Sequence, residues 1–328
     1  MLRPALSLLL LLACGGVSGC GARAQTAAGP RPVAVVAQPL QLDPEDRSRR
    51  TVGELTWAGG LHLMAPGEPA FGGVSGIDVD ADGRFLAQTD TGRLLRGALR
   101  LDPAGRLAGL DGVTIQTLTD EQGAPYRRKV EVDAEDVTLT PDGYAVSFEQ
   151  YHRVLRYRGL DGGPGEPQAI PSAMAQRPRN AGLEALAWKD GRFYEGAEDG
   201  EIWRCEPGRR GRCVSVMPRS PYPGYKLTGL DAAGRGFVAV YRDVDVFAGW
   251  RAAIAWLEPA RTDGSGPWKA RRLAVLGRPL TRDNMEGIAA VPRPGGGFRL
   301  YLVSDDGFYA FERTLLLAFD WPGPPARR

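Results

Sequence analysis

The chain has 328 residues, of which 43% are hydrophobic, and its 41 basic and 39 acidic side chains leave a formal net charge of +2. A charge so close to balance gives no electrostatic case for a nucleic-acid partner. The 44 glycines and 26 prolines favour many short strands joined by turns over long helices.

Residues 1–24 have the layout of a secretory signal. MLRPALSLLLLLACGGVSGC contains an early arginine and then an apolar stretch that is too short to span a membrane. Val17–Cys20 resembles a bacterial lipobox, in which Cys20 would become the lipidated first residue of the mature protein. Ordinary cleavage before Gln25 is the less favoured alternative. Both predict an exported protein, either periplasmic or attached to the cell envelope only through an N-terminal lipid.

The remaining chain divides into a tether, one folded domain and a short tail. Residues 25–50 are rich in Ala, Pro, Gln and Arg, a composition typical of a tether. Residues 51–322 form the predicted domain, and residues 323–328 form the tail.

Five stretches of the domain share one pattern: a short apolar strand, a turn carrying glycine, and a second apolar strand that ends in polar or acidic residues. They begin at Gly72, Asp133, Ala181, Lys226 and Asn284. Their aligned positions recur at intervals of roughly 44 to 60 residues, and periods of this size indicate an array of similar units.

Further strand candidates between these hairpins give about four strands per unit, with no sustained helical period. This pattern predicts an all-β fold, a β-propeller of four-stranded blades. Five blades are favoured, and six remain open because the 60-residue interval after the first hairpin could contain a degenerate blade. The last unit has only three strands of its own. TVGELTWAGGLHL, residues 51–63, would supply its outer strand and close the ring.

Cys205 and Cys213 flank a turn between two apolar strands in IWRCEPGRRGRCVSV. A disulfide across this hairpin would suit an oxidising compartment, and two unpaired thiols are the alternative.

Propeller topology would bring acidic side chains together at one end of the central channel, because the second strand of each blade returns to the face where the first begins. Strand openings contribute Ser75, Glu135, Asn180, Glu184, Thr228, Asn284 and Glu286. Strand closings contribute Asp90, Glu149, Glu198, Asp199, Arg242, Asp243, Asp305 and Asp306. Carboxylates placed so close together repel one another unless a cation offsets them.

The stretches GVSGIDVDADGRFLAQTDTG, RNAGLEALAWKDGRF, and DNMEGIAAV followed by LVSDDGF resemble the bacterial phytase-like β-propeller family labelled "esterase-like activity of phytase". The resemblance extends from about Phe71 to Leu317. It implies hydrolysis of a phosphate ester or a related ester. Propeller phytases use calcium clusters held by carboxylates, although no long acidic calcium-binding stretch stands out in this chain.

Together with this resemblance, the acidic residues at one end of the channel predict a metal-assisted hydrolase of a small anionic or ester substrate. Glu135, Glu184, Glu286 and Asp305 would hold Ca²⁺ or a similar hard cation. Arg153 and Arg179, with Asn180 and Asn284, would bind the anionic group of the substrate. The catalytic candidates are Glu184 and Glu286, with His152 as a minor candidate for general base.

A second function is compatible with the same residues. The same residues could hydrogen-bond between neighbouring blades, and the protein would then be a non-catalytic propeller that binds a ligand or partner at the cell envelope. A monomer is expected in both cases.

Overall fold

The computed structural model of the chain describes residues 29–261 and 268–324. Four strands precede the first blade: β1 (Arg31–Pro32), β2 (Val36–Pro39), β3 (Thr51–Val52) and the longer β4 (Leu55–Met64). The first blade contains β5 (Val74–Val79), β6 (Arg84–Thr89), β7 (Arg93–Leu101) and β8 (Leu107–Thr117).

The second and third blades follow the same meander. A single-turn helix, α1 (Lys129–Val132), leads into β9 (Ala134–Thr140), β10 (Gly143–Phe148), β11 (Arg153–Arg158) and β12 (Glu166–Pro167). A 3₁₀ helix (Ser172–Gln176) connects to β13 (Leu183–Lys189), β14 (Arg192–Ala197), β15 (Ile202–Cys205) and β16 (Cys213–Met217).

The fourth and fifth blades complete the ring. The fourth contains β17 (Lys226–Ala233), β18 (Gly236–Asp245), β19 (Gly249–Pro259) and β20 (Trp268–Leu276). The fifth contains β21 (Asn284–Pro292), β22 (Phe298–Asp305) and β23 (Leu315–Trp321). Among the described residues, no helix has both the length and the apolar character needed to cross a membrane.

Strand β4 supplies the outer strand of the last blade, as predicted from TVGELTWAGGLHL. It pairs antiparallel with β23, with Leu61 opposite Leu316, so the start and the end of the domain share one sheet. The described residues form five blades, which confirms the favoured count and leaves no room for a sixth.

Part of the segment predicted to be a tether packs onto the propeller. Strand β1 pairs with β8, and β2 pairs with β4. Leu42 is fully buried in a core cluster, because the segment carries enough apolar side chains to cover the edges of two blades. Cys20 and the remainder of the predicted signal lie outside the described residues, as do the last four residues of the predicted tail.

The predicted disulfide is confirmed. Cys205 and Cys213 lie directly opposite each other on β15 and β16, and their sulfur atoms are bonded. The bond closes the outer edge of the third blade.

The innermost strands β5, β9, β13, β17 and β21 approach one another closely around the ring axis. A Cβ atom added to Gly287 would lie 2.9 Å from the Cα of Gly76, and one added to Gly229 would lie 2.6 Å from the Glu286 carbonyl oxygen. Glycine is therefore required at these positions, because the neighbouring backbone occupies the space of a side chain.

Three aspartates, one of them buried and two half-buried, link these strands across the boundaries between blades. The carboxylate of Asp78 accepts a hydrogen bond from the backbone N–H of Leu139 at 2.6 Å. Asp136 accepts one from Leu186 at 2.8 Å, and Asp231 accepts one from Ala290 at 2.7 Å. We call Asp78, Asp136 and Asp231 the clasp aspartates.

Candidate functional site

Each innermost strand contains one residue more than its partner strand at the end where the blade begins. In four blades this extra residue is Ser75, Glu184, Thr228 or Glu286. In the second blade, Glu135 and Asp136 together oppose the single residue Ser147. A β-bulge locally redirects a side chain, so this repeated bulge sets the direction of three glutamates at the same level of the ring.

The ends of the second strands lie beside these bulges, as the topology predicts. Asp305 pairs with Asn284, Arg242 pairs with Lys226, and Phe148 pairs with Ala134 just before Glu149. We call this end of the channel the mouth.

Three carboxylates at the mouth form a close group. One oxygen from each of Asp133, Glu135 and Glu149 lies within 4.8 Å of the others. Desolvation raises the pKa of Glu135 well above its ordinary value, and the charges of Glu184, Glu149 and Asp133 raise it further. We call Asp133, Glu135 and Glu149 the oxygen triad.

Glu184 lies beside the oxygen triad and is itself buried. Burial raises its pKa well above the ordinary value, and the charges of Glu149 and Glu286 add to the increase. Desolvation also raises the pKa of Glu149, although a hydrogen bond from Glu184 partly offsets this. The two carboxyl groups can therefore share one proton.

Glu286 is held by the neighbouring blade. Its Oε1 atom lies 2.7 Å from Nη1 of Arg242 and accepts a hydrogen bond from the Asn284 amide at 2.9 Å. Burial raises the pKa of Glu286 to about 7 even though the Arg242 charge opposes the shift. Arg242 also donates to the Asn284 amide oxygen and lies over the Trp250 ring at 5.6 Å.

Asp305 and Asp90 extend the acidic group toward the first blade. Burial raises the pKa of Asp305 to about 6, and the charges of Asp90 and Asp306 contribute. Lys129 lies 3.0 Å from Asp90 and 2.6 Å from Asp133, so one lysine bridges the two blades.

A family model described as "Phytase-like: Esterase-like activity of phytase" matches residues 69–308 of this chain. The chain belongs to the phytase-like family. No curated protein matches it in sequence.

Several solved structures superpose on the phytase-like chain at low sequence identity. An oxidoreductase from Thermus thermophilus, described as a glucose dehydrogenase, shares 17% identity over 87% of this chain and 100% of its own, with a TM-score of 0.32. The N-terminal domain of Nup159 shares 11% identity over 83% and 96%, with a TM-score of 0.34. The β-propeller domain of Cps50 from Myceliophteria thermophila shares 8% over 76% and 96%, with a TM-score of 0.35. No functional argument follows from scores this low.

The structure places the four predicted metal ligands of the phytase-like propeller in one electrostatic group. Glu135 belongs to the oxygen triad, and Glu184 hydrogen-bonds to the triad at Glu149. Glu286 and Asp305 influence each other and both interact with Arg242. The closest group of oxygen atoms is therefore the triad, and it differs from the predicted set.

The predicted anion-binding arginines have other partners in this structure. Arg153 donates to the Tyr126 hydroxyl at 3.0 Å and to two backbone carbonyls, and its guanidinium lies 4.0 Å from the Phe148 ring centre. Arg179 is exposed and lies over the Tyr151 ring at 5.1 Å, and the neighbouring Asn180 is also exposed. Of the predicted anion-binding residues, Asn284 is the one in contact with Glu286.

His152 lies in the turn between β10 and β11 of the second blade. Its Nε2 atom is 3.2 Å from the Pro178 carbonyl oxygen. Its Nδ1 atom is buried and has no hydrogen-bond partner among the described residues.

Three important members of the mouth were not singled out from the sequence as site residues. Asp133 and Glu149 complete the oxygen triad, and Arg242 binds Glu286. The strand-closing pattern did place Glu149 and Arg242 at this end of the channel, but it assigned them no ligand-binding or catalytic role. Asp133 precedes its strand, and only the fold shows that it reaches the same place.

The oxygen triad fits a hard cation such as Ca²⁺, which prefers several carboxylate oxygens. The other close group of potential ligands in the described chain, Glu195 with Cys205 and Cys213, does not offer the same chemistry because its two sulfur atoms are bonded to each other.

Proposed function

We propose that this phytase-like propeller is an exported hydrolase that cleaves a phosphate ester or another ester at the mouth with the help of a bound cation. The observation that carries the proposal is the group of desolvated glutamates from three blades, Glu135, Glu184 and Glu286. The charges of Glu184 and Glu286 raise the pKa of Glu135, and the charge of Glu286 raises the pKa of Glu184. Such clusters are electrostatically costly in the absence of a ligand and are typical of functional sites. The family description and the disulfide, which suits an oxidising compartment, support the proposal.

The oxygen triad would hold the cation. When bound, a calcium ion supplies polarisation of an ester oxygen and lowers the pKa of a nearby water. Lys129 contacts Asp133 and would keep that carboxylate in place.

Arg242 and Asn284 are the residues best placed to bind the anionic part of a substrate. In the part of the chain that the structure describes, Nε of Arg242 is buried without a hydrogen-bond partner, and the contacts of this guanidinium with Glu286 and Asn284 both use Nη1. A guanidinium can bind phosphate or carboxylate through two donors.

Glu286 would transfer the proton during hydrolysis. A carboxyl group with a pKa of about 7 is partly protonated at neutral pH, and it can therefore accept or donate a proton with little cost. Arg242 and Asn284 hold the same Glu286 oxygen, which fixes the direction of the other one.

The proposal is tested by assaying the purified domain with p-nitrophenyl phosphate, bis(p-nitrophenyl) phosphate, p-nitrophenyl acetate and a lactone, with Ca²⁺ or with EDTA. We expect hydrolysis of at least one class, loss of activity with EDTA and recovery with Ca²⁺. Glu286→Gln should lower kcat by about 10²-fold or more, the usual contribution of a general acid or base.

Glu206→Gln is the matched control, because Glu206 is an exposed glutamate beyond the end of β15. Activity that is unaffected by both Glu184→Gln and Glu286→Gln would refute the site assignment. Binding of Ca²⁺ without turnover of any ester would instead favour a non-catalytic ligand-binding propeller.

A further inference from the structure

Large apolar side chains are strongly exposed in two segments of the molecule. The hairpin between β18 and β19 exposes Val246 at 94% and Phe247 at 90%, and the loop after β22 exposes Phe311 at 79% and Tyr309 at 59%. The exposed large apolar side chains of these two segments, which we call the apolar rim, are Val244, Val246, Phe247, Phe308, Tyr309 and Phe311. Outside the rim, the exposed large hydrophobic residues in the described chain are no more than 46% exposed.

The two segments of the apolar rim are attached to each other. Trp250, at the base of the hairpin, donates from Nε1 to the Glu312 carboxylate at 3.3 Å. Arg282 donates to the carbonyl oxygens of Trp250 and Ala248 on the hairpin side, at 2.9 and 3.3 Å, and its own carbonyl oxygen accepts from Arg313, beside Glu312, at 3.0 Å. The rim therefore forms one surface across the fourth and fifth blades.

This surface adjoins the mouth. The hairpin follows β18, the second strand of the fourth blade, which carries Arg242 near its end. The loop follows β22, the second strand of the fifth blade, which ends at Asp305. A Cβ atom added to Gly73 would lie 2.9 Å from Cε2 of Phe308 and still closer to Oδ1 of Asp90. The Phe308 ring and the Asp90 carboxylate thus flank the same glycine.

The backbone holds Phe308 in place at some cost. Phe308 has a φ of 55°, a left-handed conformation that is unfavourable for an aromatic residue. Asp305 accepts a hydrogen bond from the Gly307 N–H at 2.7 Å, and Asp306 accepts one from the Phe308 N–H at 3.1 Å. Asp306 also accepts from the Gly73 N–H at 2.8 Å, so the loop is fixed to the first blade.

We propose that the apolar rim binds the alkyl or aryl group of an amphiphilic ester whose polar head lies at the mouth. The proposal rests on the proposed function, because it assigns the substrate class of the same site. A molecule with its phosphate or ester group beside Arg242 would direct its apolar part toward the rim, where Phe308 flanks the mouth at Gly73 and Phe247 and Phe311 are the most exposed rings. Burial of its apolar part against these rings supplies binding free energy that the polar mouth does not.

The test measures binding and turnover as a function of chain length. Alkylphosphonates with two to eight carbons are titrated by calorimetry in the presence of Ca²⁺, and the corresponding p-nitrophenyl esters or alkyl phosphates are assayed in parallel. For the wild type, we expect affinity and kcat/KM to rise by up to about fourfold per methylene, the factor that corresponds to the transfer free energy of one CH₂ group.

The double variant Phe247→Ser with Phe311→Ser should remove most of this dependence on chain length and leave the shortest compound unaffected. Leu101→Ser is the matched control, because Leu101 is 45% exposed at the end of β7, on the opposite face from the mouth. The control variant should retain the wild-type dependence.

Several results would overturn the proposal. Equal chain-length dependence in the wild type and the double variant would exclude the rim as the binding surface, and so would failure of the wild type to bind any alkylphosphonate. Binding to neutral phosphatidylcholine vesicles that is lost in the double variant, with no dependence on chain length, would assign the rim to a lipid surface instead. Chain-length-dependent binding without hydrolysis of any ester would support the rim while contradicting the proposed hydrolase.

Discussion

The clasp aspartates and the mouth glutamates are buried or half-buried, and desolvation raises the pKa values of both sets. They differ in their partners. Each clasp aspartate accepts hydrogen bonds from backbone N–H groups that the fold holds in place: Asp136 accepts from Val137 and from Leu186 of the next blade. The mouth glutamates face other carboxylates, with Arg242 as their shared cation.

The nature of the partner separates a structural acid from a candidate functional one. A carboxylate bonded to fixed backbone donors stabilises the fold, and its removal leaves those donors unsatisfied. A carboxylate that faces other carboxylates destabilises the fold until a cation or a proton offsets the repulsion. The comparison therefore predicts opposite effects for mutations of acidic residues only one position apart, such as Glu135 and Asp136.

Mutation of a clasp aspartate should change stability the most. Asp136→Ala should lower the free energy of unfolding by about 2–3 kcal/mol, because it leaves the buried Leu186 N–H without an acceptor. Asp136→Asn should cost less, since its amide oxygen can still accept one hydrogen bond. Urea denaturation measures both, with exposed Asp82→Ala as control. Unchanged stability of Asp136→Ala would show that the clasps do not hold the blades together.

The positions of two clasp aspartates could have been predicted from the sequence. Asp78 and Asp231 each stand two residues after the aligned glycines Gly76 and Gly229, so the repeat already contained the signal for two clasps. The repeat alone does not show that these two aspartates join blades, because their hydrogen-bond donors, Leu139 and Ala290, lie in other blades. An alignment of repeats compares equivalent positions within blades, and it does not show contacts between blades.

Contacts between blades were also the part of the mouth that the sequence did not predict. The strand-opening glutamates and the strand-closing acids follow from topology, and the structure places Glu135, Glu184 and Glu286 within electrostatic reach of one another. The ion pair of Arg242 with Glu286 crosses from the fourth blade to the fifth and has no sequence signature. The sequence did not predict that part of the tether packs on the propeller, for a similar reason. Its strands β1 and β2 pair with β8 and β4, and these pairings become visible only in the folded structure.

The next largest effect should come from calcium binding at the oxygen triad. At a free Ca²⁺ concentration one hundred times Kd, the wild type should gain about 2.7 kcal/mol of stability, measured as an increase in Tm over the EDTA-treated protein. Glu135→Gln should lose most of this gain, because it removes one triad oxygen charge. Asp136→Asn, one residue along, should retain it. An equal response of the wild type and Glu135→Gln would contradict a cation site at the triad.

Removal of the Glu184 charge should have a smaller effect on stability, and it tests the distinction between clasp and mouth acids most directly. Without Ca²⁺ at pH 8, Glu184→Gln should be more stable than the wild type by about 1 kcal/mol, since it removes a buried charge that faces Glu149 and Glu286. The unfolded chain releases the Glu184 proton near its ordinary pKa of about 4.3, whereas the folded protein releases it at higher pH.

Folding therefore favours the protonated form of Glu184, and the wild type loses stability as the pH rises through this interval. Glu286 should add to this loss of stability between about pH 4.5 and pH 7, because folding raises its pKa from about 4.5 to about 7. The advantage of Glu184→Gln should consequently vanish at pH 4 and grow toward pH 8, as Tm measurements across this range would show. An advantage that is constant with pH would mean that Glu184 acts through packing and not through its charge, and the distinction between clasp and mouth acids would then fail at this residue.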